Sequence, residues 1–217
     1  MAQTTLQSHL RFPLDGILGN TGNVRVLRAL CAHGGALSTT QLASATRMTP
    51  QGVRLVLDGL QAHDIIEVLG QGRSQLYQRR SEHPWAAPLQ TLFQTERQQW
   101  EDLLTAVRQA LEENDAVVAA WLYGSVARGE DRPQSDVDFA VLLKSPAAEP
   151  TVRNSFELLE HQLYAKFSVV CITEADLKGG KVGPDWWAKV LREGLQLKGK
   201  PRTASDVPAS RRKVAVQ

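Results

Sequence analysis

Val117-Val118-Ala119-Ala120-Trp121-Leu122-Tyr123-Gly124-Ser125-Val126-Ala127-Arg128-Gly129 is an apolar run that stops on Gly-Ser. After a short acidic turn it is followed by Ser135-Asp136-Val137-Asp138-Phe139-Ala140-Val141-Leu142-Leu143. The first run reads as a buried strand, which puts Gly124-Ser125 at the turn where that strand hands over to a helix. Glycine lets the backbone approach a phosphate closely, the Ser125 hydroxyl adds a donor, and a helix start adds the positive end of its dipole. Arg128 follows about one turn on, within reach of the same anion.

Asp136 and Asp138 open the next strand. Side chains alternate along a strand, so two residues i and i+2 share a face at roughly 6.5 Å from each other. Two hard carboxylates converging beside a phosphate cradle suit Mg²⁺, which binds through one or two carboxylates together with substrate phosphates. Such a set belongs to phosphoryl or nucleotidyl transfer.

At these residues the sequence resembles the polymerase-β-type nucleotidyltransferases, in particular their small stand-alone members. The pattern is Gly124-Ser125, then Arg128-Gly129, then Ser135-Asp136-Val137-Asp138 at a strand start, and the likeness spans roughly residues 100 to 197, including the closing Trp186-Trp187-Ala188-Lys189-Val190-Leu191-Arg192-Glu193-Gly194. The resemblance implies that Asp136 and Asp138 hold the metal and do the catalytic work. It also implies that Gly124, Ser125 and Arg128 hold the phosphates and that Ser135 orients the first carboxylate. A third carboxylate is expected on a later strand, yet Phe167-Ser168-Val169-Val170-Cys171-Ile172-Thr173 has Ser168 or Val170 where the acid belongs. In two-metal chemistry that acid helps hold the ion that activates the attacking hydroxyl, so nucleotide binding is better supported than turnover. Glu157, Glu160, Glu174 and Asp176 are the nearby acids, and each reads first as a solvated helix or turn charge.

With 42% hydrophobic and 22% charged residues over 217, the chain has the composition of a globular protein large enough for two small domains. Its start has no basic and apolar leader and no run is long enough to span a bilayer, so the expectation is a cytoplasmic protein with no membrane partner. Cys31 and Cys171 read as buried small hydrophobes rather than a bridge or a metal site. The net charge of +2 is unevenly spread: residues 1–85 carry about +3, residues 86–197 about −6 and residues 198–217 about +5. A modestly basic front permits nucleic-acid contact without demanding it.

In that front, residues 23–33 place Val24, Leu27 and Leu30 or Cys31 on one helical face, and Gly34-Gly35 stops them. Ser38-Thr39-Thr40-Gln41 fits a capping box, and Thr49-Pro50 gives an N-cap with proline at the first helical position ahead of Val53, Leu57 and Leu60. Two short helices joined by Thr46-Arg47-Met48 make a helix-turn-helix. Ile65 to Leu69 and Ser74 to Gln78 flank Gly70-Gln71-Gly72-Arg73 as a hairpin. Over roughly residues 20–82 this order resembles the winged-helix domains of bacterial transcriptional regulators. The resemblance implies a helix from Pro50 in the major groove of duplex DNA with Gln51 and Arg54 near its start, and Arg73 at the hairpin tip against the backbone or minor groove. Only Arg54 is a cation on that helix, which also carries Asp58, so packing or dimerisation is the competing use.

Glu82 to Pro88 is turn-rich, and Leu89 to Asn114 repeats apolar residues at helical spacing, as one long helix or two with a break near Gln98. Trp100 and Leu103 are expected on the second domain's sheet, and Leu92 and Phe93 on the first domain or a second subunit. The expected fold class is α+β: a winged helix over 1–85, a connecting helix over 86–115, a nucleotidyltransferase domain with a small mixed sheet over 116–197, and a basic flexible tail over 198–217. The function read from it is Mg²⁺-dependent transfer of a nucleoside monophosphate from a nucleoside triphosphate to a hydroxyl acceptor, with a DNA-binding winged helix and a possible homodimer. Its rival is a DNA-binding regulator that binds nucleotide without turnover. A third reading, a partner module like the nucleotidyltransferase-fold halves of toxin and antitoxin pairs, rests on domain-level analogy.

Overall fold

In the computed structural model, which describes Ser8 and residues 10–200, the chain forms two compact units, Met1–Gln99 and Trp100–Gln217. The first contains α1 (Pro13–Ile17), α2 (Thr21–His33), β1 (Leu37–Ser38), α3 (Thr39–Thr46), α4 (Pro50–Ala62), β2 (Ile66–Leu69) and β3 (Leu76–Arg79). The ends are set by the residues the sequence marks. Gly34 takes φ 75° after α2, Ser38 and Gln41 close a reciprocal capping box on α3, and the Thr49 hydroxyl accepts from the Gly52 amide with Pro50 opening α4. Leu27, Leu30, Leu42, Val53, Leu57, Leu60 and Ile66 form its core. Two elements were not anticipated: α1, and the two-residue β1, which pairs with β3 to give an antiparallel sheet ordered β1-β3-β2.

The helix expected after residue 86 is continuous: α5 runs Ala86–Glu112 without a break at Gln98. Leu89 and Phe93 enter the first unit's core, and Leu104, Val107 and Leu111 enter the second's. One placement differs from the sequence reading: Trp100 is 40% exposed, and Leu103 with Leu104 packs on the second unit's core instead, whereas Phe93 packs on the first unit's core as expected and Leu92 is 50% exposed.

The second unit is built on β4 (Val117–Tyr123), α6 (Gly124–Arg128), β5 (Val137–Leu143), α7 (Glu149–Leu163), β6 (Phe167–Thr173), α8 (Glu174–Lys178), α9 (Pro184–Glu193) and β7 (Leu195–Lys198). The sheet order is β6-β5-β4-β7, with β5 and β6 parallel and the other pairs antiparallel, so the sheet is mixed. Strand β7 was not anticipated and includes Lys198, which had been assigned to the tail. Its ammonium donates to the Leu111 carbonyl at 2.6 Å, tying the strand end to α5. Residues 201–217, the rest of the expected tail, lie outside the described residues.

Period-two alternation divides this sheet into two apolar faces. Leu122, Phe139, Val141, Val107 and Phe156 pack on one side, and Trp121, Ala140, Leu142, Trp187 and Val190 on the other. Phe139 is fully buried, with ring centroids 5.0 Å from Phe156 and 5.2 Å from Phe167. Phe139→Ala is therefore expected to lower the unfolding free energy by about 3–5 kcal/mol, read by urea denaturation of the full chain.

Candidate functional site

The register of the sheet assembles the site. Tyr123 pairs with Asp138 across β4 and β5, and Asp138 pairs with Ser168 across β5 and β6. By alternation these three lie on the same face as Trp121, Ala140 and Val170, the face that packs against α9. At the end of β4 the chain turns sharply into α6, with Gly124 at φ 81°. A Cβ at position 124 would collide with the Asp138 carboxylate, so glycine is required both by the backbone angle and by the approach of the turn to the acid. Gly129, at φ 66°, ends α6 after five residues, too short for its dipole to add much.

Gly124, Ser125, Arg128 and Asp138 line one cavity of about 330 Å³. Sequence reasoning missed its other side, where Trp186, Lys189 and Glu193 of α9 face Tyr123. The signal was present as an i, i+3, i+7 spacing, the spacing of one helix face, but two adjacent tryptophans hide which is core: Trp187 is buried and Trp186 half-buried. Arg128 is held at the cavity by Glu130 (2.8 Å) and Glu193 (3.4 Å).

Asp136 and Ser135 do not line that cavity. Asp136 is ion-paired with Lys166 at 3.3 Å, and Ser135 uses its hydroxyl to accept from the Arg132 amide at 2.9 Å, pinning the turn rather than a carboxylate. Burial, and then the negative charge of Asp136, push the Asp138 carboxyl above its usual range, against a hydrogen bond from Ser168 and the field of Arg128. Two carboxylates that repel one another, one of them desolvated, have the chemistry of a donor pair for a divalent cation. Among the described residues no group of three or more His, Cys, Asp or Glu is placed to hold a metal ion. The donor chemistry of the pair fits a hard divalent cation that takes its remaining ligands from phosphates and water.

Two of the four alternative acids are engaged elsewhere. The Phe167 amide donates to the Glu160 carboxylate, and Asp176 accepts from the Thr173 amide and hydroxyl as the cap of α8. In the first unit, Gln51 and Arg54 are exposed on the first turns of α4, and Arg73 lies in a 3₁₀ turn, Gly72–Ser74, between β2 and β3. No helix among the described residues is long and apolar enough to cross a membrane.

Residues 106–179, roughly a third of the chain, match the family model described as polymerase beta, nucleotidyltransferase. No curated protein matches the chain. Among solved structures it is similar to a mutant of the MntA-HpeT toxin–antitoxin, at 19% identity over 45% of this chain and 73% of that one with a TM-score of 0.35. A toxin–antitoxin with AMP-PNP matches at 21% identity over the same shares, also with a TM-score of 0.35. The AntR antimony-specific transcriptional repressor matches at 25% identity over 47% of this chain and 89% of that one, with a TM-score of 0.37. Likenesses this partial do not carry function. The family match covers β4, α6, β5 and the Gly124 to Asp138 motif, and the part of the chain it spans is nucleotidyltransferase-like, while α9 lies beyond it.

Proposed function

We propose that residues 116–197 bind a nucleoside triphosphate with Mg²⁺ and transfer its nucleoside monophosphate to a hydroxyl acceptor, behind a connecting helix over 86–115 and an N-terminal winged helix over 1–85. The observation that supports this most is the contact of the Gly124 backbone with the Asp138 carboxylate, because it puts the phosphate cradle against a metal-binding acid. Gly124 and Ser125 offer backbone and hydroxyl donors, and Arg128 exchanges a carboxylate partner for a phosphate oxygen. Asp136 and Asp138 would hold the cation, which supplies charge neutralisation on the triphosphate when bound. The acceptor oxygen attacks the α-phosphorus, the bond to the β-phosphate oxygen breaks, pyrophosphate leaves, and the acceptor proton passes to solvent. Incubation of the protein with each nucleoside triphosphate labelled at the α-phosphate, Mg²⁺ and cell lysate tests this: covalently attached label is expected with wild type and none with Asp136→Asn/Asp138→Asn.

A second reading has its own support. Ser168 donates to Asp138 where a third carboxylate would sit, which favours a regulator that binds nucleotide without turning it over. Binding without any covalent label in that experiment selects it.

The first unit supports the DNA-binding proposal through its element order: helix, short strand, two helices and a hairpin that the short strand joins. With a net charge of about +3 over residues 1–85, binding is expected to be weak per subunit and steeply salt-dependent. Arg73→Ala is expected to weaken binding to all duplexes alike and to flatten the salt slope by about one unit, whereas Gln51→Ala or Arg54→Ala alters sequence preference. Fluorescence anisotropy of the full chain on random and selected duplexes at several salt concentrations checks this. An unchanged slope in Arg73→Ala refutes the contact.

A further inference from the structure

The side of the cavity formed by α9 carries groups that the cradle and the acids leave unused. Trp186 is half-buried, its ring edge-on to Tyr123 with centroids 5.5 Å apart at 89° and tilted against Trp187 at 6.1 Å. The edge contact with Tyr123 and the packing on Trp187 orient the Trp186 ring. Lys189 is exposed one turn on and lines the same cavity as Arg128. At about 330 Å³ the cavity has the size of a small-molecule site, and no Asn or Gln lines it to read the edge of a base.

We propose that α9 forms the nucleoside half of the site: Trp186 is the stacking platform for the nucleobase, Lys189 is a second cation on the phosphate chain, and the site takes nucleoside triphosphates without distinguishing adenine from guanine. This rests on the reading that the Gly124-Ser125 turn holds a triphosphate. Stacking on an aromatic ring tolerates any base, because every base offers a π-face, and alanine replacement of such a ring typically costs about fivefold to over a hundredfold in affinity. Discrimination between bases comes from hydrogen bonds to their edges, and on this wall the Glu193 carboxylate is held by Arg192 at 2.8 Å while Lys189 serves the phosphates.

Calorimetry of the full chain with Mg²⁺ and three probes, ATP, GTP and inorganic tripolyphosphate, tests the assignment. Wild type is expected to bind ATP and GTP within about threefold of each other, and both at least about fivefold more tightly than tripolyphosphate. Trp186→Ala is expected to bring ATP and GTP down to the tripolyphosphate affinity while leaving tripolyphosphate binding unchanged, which also shows that the variant is folded. Trp186→Phe is expected to restore most of the difference. Lys189→Ala is expected to weaken all three probes alike. Unchanged ATP affinity in Trp186→Ala, wild-type affinities equal for ATP and tripolyphosphate, or an ATP-to-GTP ratio above about thirty overturns this inference and leaves the triphosphate cradle standing. A Lys189→Ala loss confined to ATP and GTP overturns the role of Lys189. Failure of wild type to bind any of the three overturns the cradle as well.

Discussion

Asp136→Asn together with Asp138→Asn is expected to abolish Mg²⁺-dependent nucleotide binding, with a loss of about a hundredfold or more. Each charge-assisted contact contributes on the order of 1.5–3 kcal/mol, and the double variant removes both acids that would face the cation. Isothermal calorimetry with and without Mg²⁺ checks this, and equal affinity in wild type and variant refutes it. The same experiment has a stability arm with the opposite sign. Burial and the neighbouring Asp136 charge hold the Asp138 carboxyl above its usual range, so the folded protein binds that proton more tightly than the unfolded chain does. The stability this confers is full below the ordinary aspartate pKa and is lost as pH rises through the elevated value in the folded state. At neutral pH an ionised Asp138 is thus a cost to the nucleotide-free protein. Asp138→Asn is expected to raise the melting temperature near pH 7 in the absence of nucleotide and Mg²⁺, with the advantage shrinking in acid. A variant that melts lower than wild type at pH 7 shows that Asp138 is held by partners other than those described.

Ser168→Asp is expected to raise any nucleotidyl transfer by orders of magnitude. Position 168, rather than 170, is the one to change, because Ser168 pairs directly with Asp138 in the parallel register whereas Val170 pairs with Ala140, two residues deeper. An acid at 168 adds a third carboxylate on the same face, completing the donor set for an ion at the attacking hydroxyl. It also adds like-charge repulsion to a site whose Asp138 is already disfavoured as an anion, so the variant is expected to melt lower than wild type without Mg²⁺ and to gain more from added Mg²⁺. Label transfer and thermal melts, each with and without Mg²⁺, separate the two effects. If wild type already turns over at roughly 10 s⁻¹, as an ordinary enzyme does, the serine is sufficient and the missing acid is not the limit.

Much of the local structure was legible in the residues because it depends on neighbours in the chain. The capping box at Ser38 and Gln41, the Thr49-Pro50 start of α4 and the glycine after α2 are satisfied within one turn of themselves, and the helices form where these signals stand. The runs 117–123 and 137–143 are strands at those bounds, largely apolar because both are buried on two faces, and 167–173 is the partly buried edge strand beside them. The Gly124-Ser125 turn and the strand-opening aspartates were legible for the same reason.

What the sequence left open is set by partners distant along the chain. Elements as short as β1 and β7 have no periodicity to read, and they exist because β3 and β4 each offered an unpaired edge. Whether Ser168 or Val170 stands beside Asp138 depends on the parallel register of β5 and β6, and one residue of slip would have turned the other face to the site. Trp186, Lys189 and Glu193 lie some fifty residues beyond the acids and reach them only because α9 packs on β4, burying Trp187 and Val190 and turning the adjacent stripe toward the Gly124-Ser125 turn. The Gly124-Ser125 turn and the two aspartates were thus the sequence's own, while the second wall of the cavity, the occupation of Arg128 by carboxylates and the serine beside Asp138 were decided by which surfaces had to be buried together.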